Sequence, residues 1–150
     1  MNKYISDTSC IILFDKIGEL DLLQRTYGVI TTTPEVIEEY GKPVPDWIEI
    51  KTVINKNKQK EFEKIVDWGE ASAIALALEL KKSILIIDDK RGRKLANKLN
   101  IKMTGTLGTL LKAKQRGVIQ SVRQLLEKLK QIDYWISEDI ANGILKKAKE

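Results

Sequence analysis

Ser83-Ile84-Leu85-Ile86-Ile87-Asp88-Asp89 decides the fold of this chain. Four apolar residues follow one another without the polar alternation of a strand wetted on one side, so the run predicts a strand buried on both faces. Strands of that kind belong to parallel sheets covered by helices above and below. The run stops at two aspartates. Ligands of open parallel sheets gather in the crevice beyond the carboxyl ends of the strands, so Asp88 and Asp89 stand where chemistry is expected.

Working outward, residues 68–80 read as an Ala/Leu-rich helix with Asp67 as N-cap, suited to close packing in an interior. After Asp89 come a basic helix over 90–99 and a short strand over 101–103. A further helix opens at Gly105-Thr106-Leu107-Gly108 and is closed by Gly117. Toward the N-terminus, Lys3-Tyr4-Ile5-Ser6 is a strand that stops at Asp7, followed by helices over 8–17 and 20–27 and a β-branched strand over 29–32. Thr33 caps a helix over 34–40 with Pro34 at its first position. Residues 47–53 alternate like a peripheral strand, and 55–65 form a polar helix. Ser121 and Ser137 cap two terminal helices, the second with Ile140, Ile144 and Leu145 inward. Strand alternating with helix predicts an α/β fold: a parallel central sheet flanked by helices on both faces. Residues 1–120 form the domain and 121–150 a helical extension packed on it.

Composition narrows the chemistry. With 150 residues, 43% of them apolar, the chain closes one core. One cysteine, Cys10, forms no internal disulfide and reads as a small core residue. The absence of histidine excludes imidazole metal sites and both Ser-His and Cys-His catalysis. No apolar run approaches the roughly 20 residues of a membrane span, and Cys10 to Phe14 is cut short by Asp15 and Lys16. A reducing, cytoplasmic setting without membrane contact is therefore expected. Net charge is +5, yet residues 1–89 carry 11 basic and 16 acidic side chains and residues 90–150 carry 15 and 5. Between Lys90 and Leu126 stand ten Lys/Arg and no acid. Such a tract either steers a polyanion or forms solvated helix faces.

The strand ends are acidic. Asp7 follows the first strand, Asp88 and Asp89 end the central one, Glu38 lies one turn into the helix after the second, and Glu70 lies in the first turn of another helix. Each alone reads as a helix cap, a dipole partner or surface charge. Together they repel unless a cation sits among them. Hard ions such as Mg²⁺ or Mn²⁺ take oxygen ligands from a few carboxylates plus substrate phosphate. Such a site suits phosphodiester hydrolysis without histidine. The basic tract then supplies phosphate contacts for a nucleic acid. Within it Lys90, Arg91, Arg93 and Lys94 are the candidate substrate-binding residues. Thr106, at a helix start between two glycines, presents hydroxyl and N–H groups to a phosphate or forms a capped turn. Trp47, Trp68 and Trp135 read as packing anchors, or as a platform for bases where one is exposed.

Asp7-Thr8-Ser9, Pro34-Glu35-Val36-Ile37-Glu38-Glu39, Gly69-Glu70-Ala71 and Leu85-Ile86-Ile87-Asp88-Asp89 resemble the PIN domain family in order and spacing. The stretches from Asp88 to Ala96 and from Thr104 to Leu111, with Ala113-Lys114, are similar to one prokaryotic branch of it, and the resemblance covers about residues 3–119. It implies a single PIN-like domain with Mg²⁺- or Mn²⁺-dependent ribonuclease activity, commonly the toxin of a toxin–antitoxin pair. Its implied metal ligands are Asp7, Glu38, Glu70 and one or both of Asp88 and Asp89. The family's spacing favours Asp89 and the strand end favours Asp88. Helical direction favours Glu38 over Glu39, because Glu38 lies four positions from Pro34. The implied partners are RNA and a cognate antitoxin protein. The terminal helices serve packing, a homodimer or an antitoxin contact. Two other readings are a catalytically silent PIN-like module that binds RNA or protein, and phosphoryl transfer through an aspartyl-phosphate. The last expects a second acid close after the first, which Asp7-Thr8-Ser9 lacks.

Overall fold

A computed structural model describes residues 2–150. Its elements are, in order, β1 (Lys3–Ser6), α1 (Thr8–Lys16), α2 (Asp21–Tyr27), β2 (Ile30–Thr32), α3 (Pro34–Tyr40), β3 (Ile48–Ile50) and α4 (Lys56–Glu63). They continue with α5 (Trp68–Glu79), β4 (Ser83–Ile86), α6 (Lys90–Lys98), β5 (Lys102–Thr104), α7 (Thr106–Gln115), α8 (Val122–Gln131) and α9 (Glu138–Lys147). The five strands form one sheet in the order β3-β2-β1-β4-β5, every neighbouring pair parallel. This is the α/β architecture that the central apolar run implies. The order reverses beside β1, so the crevice beyond the ends of β1 and β4 is the topological switch point. Register brings Ser6, Ile86 and Thr104 level at that edge, with Asp7, Ile87 and Gly105 next along the chain.

Alternation along the strands feeds two cores. Ile30 and Ile86 point to one side, into a cluster with Cys10, Phe14, Leu22 and Leu110. Ile5, Leu85 and Ile87 point to the other, against Ile74, Phe62 and Leu95. On that second side α5 is buried nearly all round, and its alanines let it lie close on α3, α4, β1 and β4. Residues 121–150 share the first core through Val122, Leu125, Leu126, Leu129 and Leu145, with α8 and α9 resting on α7.

Three details depart from the sequence expectation. The peripheral strand is only β3, because Lys51 N–H makes the last ladder bond to Thr32 O at 2.8 Å. The following backbone N–H groups of Ile54 and Asn55 bond the Glu79 carboxylate instead. Ile140 is 52% exposed, leaving Ile144 and Leu145 as the inward residues of α9. Asp67 occupies the N-cap position of α5 but makes no capping bond. Among the described residues no helix is long and apolar enough to cross a membrane.

Candidate active site

Asp7 ends β1 and caps α1: its Oδ1 accepts the Cys10 N–H at 3.0 Å. The residue is wholly buried, and Oδ2 has no hydrogen-bond partner. Next to it, Thr8 Oγ1 donates to Glu39 Oε1 at 2.5 Å, and Glu39 Oε2 accepts the Gly69 N–H at 3.1 Å. The carboxylate that caps α5 therefore comes from α3 rather than from Asp67. Gly69 is required there by space, since a Cβ would strike the Glu39 carboxylate and come within 2.5 Å of Thr8 Oγ1.

Of the two neighbouring acids on α3, the one bonded into this cluster is Glu39, where helical direction from Pro34 favoured Glu38. Glu35 and Val36 are the buried residues of α3, and Glu39 follows them at i+4 and i+3 on the same face. Pro34, Glu38 and Glu39 are all exposed, so what distinguishes the two acids is the bonding of Glu39 to Thr8 and Gly69.

Glu70, in the first turn of α5, is 7% exposed and its Oε1 is likewise without a partner. Asp89 caps α6 by accepting the Gly92 N–H at 2.9 Å, and it stays exposed toward Glu70 in a shared cleft. Asp88 turns to the other side and caps α7. Its Oδ1 accepts the Thr106 N–H at 2.8 Å, and its Oδ2 accepts the Thr106 hydroxyl at 2.6 Å and that of Tyr134 at 3.3 Å. Thr106 is thus the holder of Asp88, with both of its polar groups engaged.

Burial pushes the Asp7 carboxyl up to about 7; the Cys10 N–H opposes the rise, and the charges of Asp88 and Asp89 add to it. Burial also raises Glu70 to about 7, reinforced by Asp89, Asp7 and Asp67. The crevice is short of positive charge. Cys10 is fully buried, and burial together with the Asp7 charge holds its thiol well above the ordinary range, as expected of an inert core residue.

The cleft beside Glu70 and Asp89 has a volume of about 380 Å³ and is also walled by Asp67, Ile65 and Arg91. Ile65 and Arg91 continue into a groove of about 240 Å³ lined by Lys94, Leu95 and Lys98. Lys90, Arg91 and Lys94 are exposed. Arg93 differs from them: its Nη1 donates to Ile87 O at 2.8 Å and clamps the end of β4. Trp47 packs on the core, while Trp135 is 83% exposed.

Of the residues bonded here, the sequence ranks Glu39 behind Glu38 and gives no sign of Tyr134. The burial of Glu35 and Val36 marks the face of Glu39. No local pattern marks Tyr134, which meets Asp88 from 46 residues away.

Sequence comparison with known families places residues 3–150 within one family model, DUF3368, described as a PIN domain. Neither the curated proteins nor the solved structures compared with the chain gave a match. PIN domains are generally nucleases that use divalent metal ions. With the parallel sheet, its acidic switch point and a match over nearly the whole length, this chain belongs to the PIN domain family.

Proposed function

We propose that this protein is a divalent-metal-dependent endoribonuclease that hydrolyses RNA phosphodiester bonds with Mg²⁺ or Mn²⁺. The observation that carries the reading is the pair of buried carboxylate oxygens without partners, Asp7 Oδ2 and Glu70 Oε1, at the switch point of the sheet. A buried, unpaired carboxylate oxygen costs several kcal/mol on the order of a lost charged hydrogen bond, and a cation removes that cost. Among the described residues no three acids stand so as to enclose an ion by themselves. That suits Mg²⁺, which is usually held by one or two carboxylates together with waters and substrate phosphate rather than by an all-protein cage.

Asp7 and Glu70 are the residues that would hold the ion, with Asp89 beside Glu70 and Glu39 beside Thr8. When bound, the ion supplies Lewis-acid polarisation of the phosphate and a supply of hydroxide near neutral pH. The chain's own residues do the rest. Thr106 fixes Asp88, Gly69 and Thr8 fix Glu39, and Arg91, Lys94 and Lys98 line the groove that leads away from the acids, where a phosphate backbone is bound without regard to sequence. Lys90 is a further exposed cation of the same helix.

The family resemblance extends the proposal to a cytoplasmic toxin with an antitoxin protein as partner and a homodimeric state. Co-purification with the product of a neighbouring small gene tests the first, and light scattering the second. The activity is tested by incubating metal-free protein with mixed single-stranded RNAs while titrating Mn²⁺. Cleavage that appears with the metal and is lost in Asp7→Asn supports the reading. A folded protein that binds Mn²⁺ and RNA but leaves the RNA intact is the catalytically silent module instead.

A further inference from the structure

Tyr134 lies between α8 and α9, beyond the stretch 3–119 that carries the motif resemblance, yet its hydroxyl reaches the acidic crevice. The end of α8 aims it there. Asp133 takes a left-handed conformation with φ of 61°, and Tyr134 N–H bonds back to Leu129 O at 3.0 Å. This turns the chain over the core, against which the Tyr134 ring packs, half-buried. Phenylalanine would fill the same space. What tyrosine adds is one hydroxyl, and its bond is to Asp88 Oδ2 at 3.3 Å.

A carboxylate offers about four lone-pair positions. On Asp88 three are taken: one on Oδ1 by Thr106 N–H, and two on Oδ2 by the hydroxyls of Thr106 and Tyr134. Thr106 alone would leave each oxygen with a free lone pair and the carboxylate able to present either one. With Tyr134 in place Oδ2 is saturated, and only Oδ1 retains a vacant position. Asp88 belongs to the same crevice as Asp7: Asp7 N–H bonds Ile86 O at 3.3 Å at the paired strand ends, and Thr106, which holds Asp88, lies 3.9 Å from the sulfur of Cys10, whose N–H bonds Asp7.

We propose that Tyr134 is a positioning residue of the active site, acting through Asp88 to leave Oδ1 as the single oxygen this carboxylate presents. The 121–150 extension is thereby a working part of the site. The inference rests on the reading of the crevice as a metal-dependent nuclease site. Groups that orient a metal site from behind its ligands typically change metal affinity or activity by about 10–100-fold when removed, and the length of the Tyr134 bond puts it at the low end.

The test is a double-mutant cycle of Tyr134→Phe and Asp88→Asn, read by calorimetric Mn²⁺ titration and by kcat and KM on a single-stranded RNA. Tyr134→Phe is expected to lower Mn²⁺ affinity and kcat by about tenfold each with KM for RNA unchanged. In the Asp88→Asn background the same substitution is expected to do nothing further. Wild-type values in Tyr134→Phe overturn the proposal, as does an equal loss in the Asp88→Asn background, which would mark Tyr134 as purely structural. A wild-type protein that neither binds Mn²⁺ nor cleaves RNA overturns the nuclease reading itself and this inference with it, whereas an active wild type with an equally active Tyr134→Phe overturns only the inference.

Discussion

Replacing Asp7 with asparagine separates the electrostatic cost of the site from its catalytic use. In the folded chain burial holds the Asp7 carboxyl at about 7, against roughly 4 in the unfolded chain. Between those values the folded state binds more protons than the unfolded one, so metal-free protein loses stability as pH rises from 4 to 7 and is level above. Three pH units at about 1.4 kcal/mol each amount to about 4 kcal/mol at pH 8. Asparagine removes the charge and keeps Oδ1 for the Cys10 N–H. It also places an amide NH₂ where Oδ2 has no partner, costing about 1–3 kcal/mol. The expected net gain in metal-free protein at pH 8 is about 2 kcal/mol, a rise in melting temperature of about 4–8 °C for a chain of this length. At pH 5 the wild-type cost is only about 1.6 kcal/mol, similar to the orphaned amide, and the two proteins should unfold together. Urea unfolding in the presence of a chelator at both pH values is the assay. Mn²⁺ should then stabilise the wild type and not Asp7→Asn. A variant no more stable than wild type at pH 8 would mean that Asp7 is solvated and not the strained anion described here. Full Mn²⁺-dependent cleavage by the folded variant would remove Asp7 from the site.

Glu39→Gln should lower metal-dependent cleavage by about tenfold or more while Glu38→Gln leaves it unchanged; the opposite ranking in a cleavage assay would return the role to Glu38. Neutralising Lys90, Arg91 and Lys94 together should flatten the salt dependence of RNA binding by about 2 in slope, at about 0.7 for each lost single-strand phosphate contact. An unchanged slope would make that surface a solvated helix face. Arg93→Gln should instead cost stability, about 2 kcal/mol for a charged hydrogen bond, and leave the slope alone, as salt titration and urea unfolding will show. Glu150 accepts from the backbone N–H groups of Val122 and Arg123, from Ser121 and from Lys114. Burial raises its carboxyl, but these bonds outweigh that and draw it down to about 2. Its stabilisation is therefore present above the ordinary glutamate range and lost as pH falls toward 2. Glu150→Gln should cost about 1 kcal/mol near neutrality, with the gap to wild type closing in acid unfolding curves.

The strands and helices were legible because each is written locally. An unbroken apolar run followed by two aspartates identifies β4, and an alanine-rich stretch of helical length identifies α5. The site was legible only to the extent that its residues belong to strand ends. Asp7 follows β1 directly, Asp88 and Asp89 follow β4 after Ile87, and register alone brings those strand ends level. Glu39 and Tyr134 depend on which face a helix buries and where a loop is laid over the core, facts fixed by packing across 30 and 46 residues. Arg93 shows the converse: its place in a basic run suggested a phosphate contact, while one helical turn brings it back to the carbonyl of Ile87.

Reading these acids as helix caps and reading them as a metal site are not alternatives. Asp7, Glu39, Asp89 and Asp88 each accept an N–H at the start of a helix, from Cys10, Gly69, Gly92 and Thr106 in α1, α5, α6 and α7. Each helix start carries roughly half a positive charge, so four of them offset about two of the five carboxylates once Glu70 is counted. The caps explain how the fold tolerates so many acids together and which oxygen of each is committed. They do not reach Asp7 Oδ2 or Glu70 Oε1. The charge left over is negative and buried at those two atoms, and the Glu70 side chain also lines a cleft that continues into a basic groove, which is the balance a divalent cation held together with a phosphate would complete.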